Sequence, residues 1–191
     1  MMMARLVATL LRQRSLRFAA DQRGVSAVEF ALLLPLMLTM YFGTLEVTDA
    51  ISADRQVTLV ASTVANIASQ YTQVSSSDVS NILGAAAQVL VPFPVANATV
   101  TLTSVQVDLN GNATVDWSAT LNGTTRSGNV TSSIPSALVQ SSKGGFVLWG
   151  EATYHYKPMI GYVVTGTLTM GSQIFARPRM SNCVKYNGTL C

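Results

Sequence analysis

The sequence predicts an α+β fold in which a long N-terminal helix is followed by a second helix and then by an antiparallel β-sheet head. A long apolar run covers residues 25–45, and apolar residues spaced three to four apart continue from Val47 to Tyr71, which is typical of helix. Serine and aspartate residues that favour helix starts precede a second helical stretch. After Pro94 the pattern changes to alternating apolar and polar residues, which indicates strands. Helices followed by a block of strands favour the α+β class.

The first part of the long helix is predicted to span a membrane. Residues 25–45 comprise 21 positions in which Glu29 is the only charged side chain. At 1.5 Å per residue they form about 31 Å of helix, enough to cross a hydrocarbon core of about 30 Å. We therefore assign residues 25–46 to a transmembrane segment. Pro35 is expected to kink it within the bilayer, because proline lacks the backbone donor and crowds the preceding turn.

Glu29 is the most informative residue of this segment. An ionised carboxylate in lipid costs about 2.5 kcal/mol or more, so such a residue is expected to have a partner or a task. Its place near one end of the span lets a group of opposite charge reach it.

The distribution of charge predicts the topology and argues against nucleic-acid binding. The formal charge is +3, yet residues 1–24 carry five arginines against Asp21, a net charge of +4, and residues 25–191 carry a net charge of −1. A nucleic-acid binder needs its basic surface on the folded part. Basic residues before a span favour a cytoplasmic N-terminus and an exported C-terminal part. The basic leader, residues 1–24, is either a helix on the inner membrane face or a solvated segment.

Beyond the membrane, residues 47–94 are predicted to be helical. The long helix is expected to continue to Tyr71 as one element of about 45 residues, since no Pro or Gly occurs from Thr44 onward in this stretch. A second helix is predicted over about Asp78 to Leu90, ended by Pro92 and Pro94.

Residues 95–191 are predicted to form the β-rich head. Asn110-Gly111 is a strong hairpin turn between two alternating segments, and together with the later strands it predicts an antiparallel meander. The Gly-, Ser-, Thr- and Asn-rich stretch 122–143 is predicted to be a loop with a short helical turn near residues 135–140. The later strands are predicted at residues 146–156 and 166–177.

The two cysteines, Cys183 and Cys191, both fall in the last nine residues. In an oxidising compartment, which the predicted topology supplies, they are expected to form a disulfide that closes a C-terminal loop. Two free thiols in a tail are the alternative. We predict no metal site, because two cysteines and one histidine lack ligand spacing.

The sequence contains no pattern that indicates catalysis, so we predict no catalytic residues, no enzyme activity and no cofactor. His155, the only histidine, lies in a predicted strand without a nucleophile motif beside it. Five Asn-x-Thr triplets are attributed to a polar β surface rather than to glycosylation. The aromatic residues of the head are predicted to be core, with an adhesive surface patch as the alternative; they are Trp117, Trp149, Tyr154, Tyr156 and Tyr162.

The segment around Gly24 resembles a known family. Gly24, four further residues and then Glu29-Phe30 resemble the cleavage motif of type IV prepilins and pseudopilins. With Arg23, Ala27-Val28, Ala31, Pro35, Gly43 and Glu46, the stretch is similar to the TadE-like proteins of tight-adherence (Flp) pilus systems. The close similarity covers residues 23–46 and fades near Ala65.

The resemblance implies a pilin-like fold and a role as a minor pilin or pseudopilin of the bacterial inner membrane, single-pass and with a periplasmic or extracellular head. A prepilin peptidase would cut between Gly24 and Val25, and the freed amine could neutralise Glu29 of a neighbouring subunit in the lipid or helical core. The expected partners are this peptidase, other pilin or pseudopilin subunits, the inner-membrane assembly platform and lipid. The alternative is an uncleaved envelope protein whose anchor presents a binding or adhesive head.

Overall fold

The structure, a computed structural model, describes residues 23–158, 161, 165–188 and 191. Most of the basic leader and Tyr162 lie outside the described residues, so the predictions made for them are not taken further. The chain forms two compact units that divide between Leu45 and Glu46. Each is described by itself below.

Helix α1, Arg23–Ala68, is 46 residues long and confirms the predicted continuous helix. Pro35 lies inside it, and the expected kink remains a prediction. Within the described part of the chain, α1 is the one helix long and apolar enough to cross a membrane. Its first part, residues 24–45, belongs to the first unit. No other helix or strand is described in that unit.

In the second unit, α2 covers Ser76–Ala87 and continues as a short 3-10 helix, Gln88–Leu90. Its start is fixed by the side chains that the sequence indicated. The Ser75 hydroxyl accepts a hydrogen bond from the Asp78 backbone N–H at 3.2 Å, and the Asp78 carboxylate accepts one from the Ser75 N–H at 2.9 Å. This reciprocal pair is a capping box. The Ser75 hydroxyl also donates to the Asp78 carboxylate at 2.6 Å, and this bond, followed by that from the Ser75 N–H, holds the pKa of Asp78 below its ordinary value.

Four antiparallel strands form the main sheet: β2 (Ala98–Val107), β3 (Ala113–Leu121), β4 (Gly145–Tyr156) and β5 (Leu168–Ala176). Their spatial order is β3-β2-β4-β5, so the predicted meander is wrong in one respect: β4 pairs with β2 and not with β3. The connection between β3 and β4 is long and contains the short helix α3, Ser136–Ser141. A connection of this length can carry the chain past β3 to the other edge of β2.

The head-side part of α1 packs on one face of this sheet together with α2. This core includes Val57, Val60 and Val64 of α1 and Leu102 and Leu148 of the strands, all nearly inaccessible. Gly150 permits the close approach, since a Cβ atom there would lie 2.6 Å from the Ala61 carbonyl oxygen. A second, smaller cluster lies on the opposite face, where α3 and its flanking loop cover part of the sheet.

A two-stranded parallel sheet ties the C-terminal region to the helical region. Strand β1, Gln73–Val74, pairs with β6, Lys185–Tyr186. The predicted disulfide between Cys183 and Cys191 is confirmed and closes the loop that contains β6. The Trp117 indole N–H donates a hydrogen bond of 2.7 Å to the Val184 carbonyl oxygen and so connects this loop to β3. Pairs of two-residue strands leave no alternation in a sequence, so neither strand was predicted.

Candidate functional site

The first candidate site is the exposed segment, which we define as residues 24–45 of α1. Every residue in it except Gly43 is exposed. Apolar side chains are exposed all round the helix; Leu32 is 74% exposed and Met40 66%. A helix that is apolar on every side is unstable in water and needs lipid or other protein around it.

The three residues predicted for processing and assembly lie at the start of the exposed segment. Gly24 has open space where a side chain would project, since among the described residues no atom beyond its chain neighbours and the adjoining helix backbone lies within 4 Å of a Cβ built on it. Val25 and Glu29 are four residues apart, so they lie on the same face of the helix. Glu29 is exposed and forms no ion pair with any residue that the structure describes. The carboxylate is thus accessible to a group from outside the chain.

Glu46, the last residue of the family-like pattern, differs sharply from Glu29. It begins the second unit and is only 4% exposed. The nearby Tyr156 has its pKa raised, first by burial and then by the negative charges of Asp49 and Glu46. Glu46 therefore belongs to the packed head and not to the exposed segment.

A second candidate site is a cleft of about 700 Å³ on the sheet face opposite to α1. Its floor is formed by Thr99 and Thr101 of β2 and by Glu151 and Thr153 of β4. Its wall is formed by residues between Gly123 and Ser133, in the stretch that the sequence indicated only as a loop. We call this the threonine cleft.

An ion pair crosses the threonine cleft from wall to floor. The Arg126 guanidinium donates from Nε and Nη2 to the two carboxylate oxygens of Glu151, each at 2.6 Å. Its Cζ atom also lies 4.3 Å from the centre of the Trp149 ring, a cation–π contact. The hydrogen bonds to Glu151 raise the pKa of Arg126. Sequence analysis missed this pair, because 25 residues separate its members and no motif links them.

The structure does not bring the predicted strand histidine into this cleft. His155 is exposed on β4, with Nδ1 at 3.2 Å from the Thr169 hydroxyl. Glu151 lines the cleft, but His155 does not. Among the described residues no cluster of three potential metal ligands occurs.

The aromatic residues of the head are core residues, as predicted. Trp117, Trp149, Tyr154 and Tyr156 are at most 5% exposed. Trp149 stacks on Phe175 and Trp117 on Tyr186. An adhesive patch made of these four rings is therefore excluded.

A helix long enough to cross a membrane, joined to a packed α+β head, is consistent with a membrane-anchored protein. Residues 24–66 match the family model described as TadE-like protein, so the resemblance stated from the sequence is confirmed for this segment. The match suggests an association with a Tad pilus. No curated protein and no solved structure matches the chain.

Proposed function

We propose that this protein is a membrane-anchored pseudopilin or minor pilin that takes part in assembling a Flp-type (tight-adherence) pilus. The observation that carries the proposal is the coincidence of the TadE-like match at residues 24–66 with a helical segment that is exposed and apolar on all sides. Before assembly lipid covers this segment. In an assembled state the helices of other subunits cover it.

The leader is removed by a prepilin peptidase between Gly24 and Val25. Cleavage places a free amine at the start of the helix, four residues from the Glu29 carboxylate. A charge buried without a partner in lipid or in a helical core is costly, and pairing it with an opposite charge removes much of the penalty. The Val25 amine of one subunit pairs with Glu29 of its neighbour, which fixes the axial register between them.

The topology follows from charge. The five arginines of residues 1–24 keep the leader on the cytoplasmic side of the inner membrane, and the head is exported. The disulfide between Cys183 and Cys191 agrees with an oxidising compartment for the head.

The assembly role is tested by comparing Glu29→Gln with Asp54→Asn, two isosteric replacements on the same helix. Asp54 is also exposed, but it lies in the head-side part of α1. In a strain carrying the complete pilus system, Glu29→Gln should leave membrane insertion intact and reduce co-purification with pilus subunits at least tenfold. Asp54→Asn should behave as wild type. Equal incorporation of the Glu29→Gln chain would refute the pairing.

The alternative function is that of an uncleaved envelope protein with a binding head, and the threonine cleft is the observation that favours it. The two functions differ at the N-terminus of the purified protein. Assembly after processing requires Val25 as the first residue, whereas a simple tether retains the leader.

A further inference from the structure

A second hollow, of about 250 Å³, adjoins the threonine cleft and shares Glu151 and Thr153 with it. It extends over β5, where Gly171 and Gln173 line it, and we call the two hollows together the trough. The two hollows together cross β2, β4 and β5 on the face opposite to α1. Two strand spacings correspond to about 10 Å. A trough of this length suits a ligand made of linked units, such as an oligomer, better than a single small ion.

The wall of the cleft is held in place before any ligand arrives. Gly123 is pressed onto the sheet, since a Cβ there would lie 2.5 Å from Cγ2 of Thr99. The Asn122 side chain donates to the Ala98 carbonyl oxygen at 3.1 Å, and the Arg126 backbone N–H donates to the Ser118 hydroxyl at 3.1 Å. A wall whose first part is fixed in this way loses little conformational freedom on binding.

The lining consists mainly of hydroxyl groups. Among the described residues, five lining side chains have hydroxyls without a protein partner: Thr124, Thr125, Ser127, Ser133 and Thr153. Thr101 contacts the Thr120 hydroxyl at 3.1 Å, which leaves lone pairs on Thr101 to accept a hydrogen bond. Hydroxyls both donate and accept, so this surface suits a ligand that does the same.

The charges and apolar groups of the cleft narrow the class of ligand. Among the described residues, Arg126 and Glu151 are the only charged ones in the lining, and they neutralise each other, so the described lining carries no excess charge to attract an anion or a cation. Val130 is the one large apolar side chain in the same described lining, which argues against a lipid or another apolar ligand. The ion pair uses Nε and Nη2 of Arg126, and Nη1 remains as a donor at the cleft.

We propose that the trough binds a neutral carbohydrate chain. The sugar hydroxyls exchange hydrogen bonds with the threonine and serine hydroxyls, and Arg126 and Glu151 act as fixed donor and acceptor at the centre. This inference concerns the head alone. It stands whether or not the leader is processed.

The test uses the full chain in phosphatidylcholine nanodiscs, because many detergents carry sugar head groups. Three neutral tetrasaccharides serve as probes: β-1,4-linked N-acetylglucosamine, β-1,4-linked glucose and α-1,4-linked glucose. Saturation-transfer NMR should detect binding of at least one of them, and titration calorimetry should give its Kd. Preference for the N-acetylglucosamine probe would indicate an envelope glycan, and preference for a glucose probe a surface polysaccharide.

Variants then locate the binding. Thr153→Val keeps the β-branched shape but removes a free hydroxyl, and should weaken binding about two- to tenfold. Ser133→Trp should abolish binding by filling the cleft. Thr114→Val, an exposed position of β3 outside the lining, is the matched control and should bind as wild type.

Three results would overturn the inference. They are no binding of any probe at millimolar concentration, binding that Thr153→Val and Ser133→Trp leave unchanged, and binding of acidic but not of neutral oligosaccharides.

Discussion

The two parts of helix α1 are both rich in apolar residues, yet their surroundings differ completely. In the exposed segment, residues 24–45, the large apolar side chains are 37% to 74% exposed. In the head-side part, residues 46–68, one face is buried, and Val57, Val60 and Val64 on it are each at most 1% exposed. The comparison shows that a single helix serves two purposes. One part completes the core of its own chain, and the other is left for contacts outside it.

The amino-acid sequence accounts for this difference. The head-side part alternates small or β-branched apolar residues with polar ones such as Asp54, Arg55 and Thr58, so that it has one buried and one solvated face. The exposed segment has large apolar residues on all sides and one acid. A sheet packed on one side of the helix can bury the apolar residues of the head-side part, but not those of the exposed segment.

The largest expected effect concerns Gly24, at the start of the exposed segment. Gly24→Leu should abolish processing in cells that contain a prepilin peptidase, because a side chain then occupies the position before the cut bond. The open space around Gly24 means that the fold should not change. The measurement is the gel mobility and intact mass of the membrane-bound chain. Gly84→Ala, at a helical glycine that is equally open, is the control, and a shortened Gly24→Leu product would contradict the prediction.

Gly150→Ala should destabilise the head by about 3 kcal/mol, because the new methyl group would overlap the backbone of α1 at Ala61. Gly24→Ala should leave head stability unchanged. Urea unfolding followed by tryptophan fluorescence measures the head specifically, since both tryptophans are buried in it. If the two variants unfold at the same urea concentration, the close packing of α1 on β4 is wrong.

Two valines, one in each part of α1, allow the same comparison of head stability, with a smaller expected change. Val60→Ala removes a side chain that is 0% exposed and should cost about 2 kcal/mol of unfolding free energy. Val28→Ala removes one that is 61% exposed and should change head stability by less than about 0.5 kcal/mol. Equal losses would mean that the exposed segment also contributes to the head core.

The smallest effects concern two acids of the β2–β3 hairpin, whose pKa shifts have opposite signs. Burial raises the pKa of Asp116 above its ordinary value of 3.8, so the folded state favours the protonated carboxyl. The contribution of Asp116 to the free energy of unfolding is therefore present below pH 3.8 and is lost as the pH rises through the raised pKa. Hydrogen bonds from Asn112 lower the pKa of Asp108, so its contribution is present above pH 3.8 and is lost as the pH falls through the lowered pKa.

The corresponding measurement is the urea midpoint of Asp116→Asn and Asp108→Asn between pH 3 and pH 7. At pH 7 the first variant should be more stable than wild type and the second less stable. Both differences should shrink toward acidic pH. A difference with the same sign for both variants would contradict the assigned environments.

The sequence was sufficient for those features that depend on local patterns. The continuous helix, the Ser75 cap, the Asn110-Gly111 turn and the disulfide each depend on neighbouring residues, and each is present. Pairing between distant segments was not predictable. The strand order and the pairing of β1 with β6 follow from tertiary packing, which spacing along the chain does not encode.

The same limit applies to the candidate sites. The exposed segment could be found from the sequence because its composition and the position of Glu29 are local features. The threonine cleft could not, since Arg126, Trp149 and Glu151 meet only after the loop of residues 122–133 has folded back onto the sheet. Threonines spaced by two along β2, such as Thr99 and Thr101, were the only available sign, and such spacing also occurs in ordinary solvated strands.

Intact-mass spectrometry with N-terminal sequencing of the full protein, purified from its native host, tests the central claim most directly. We predict a chain that begins at Val25, has lost all of residues 1–24, and retains the disulfide between Cys183 and Cys191. A chain that still carries the arginine-rich leader would contradict the account and leave a tethered head in its place.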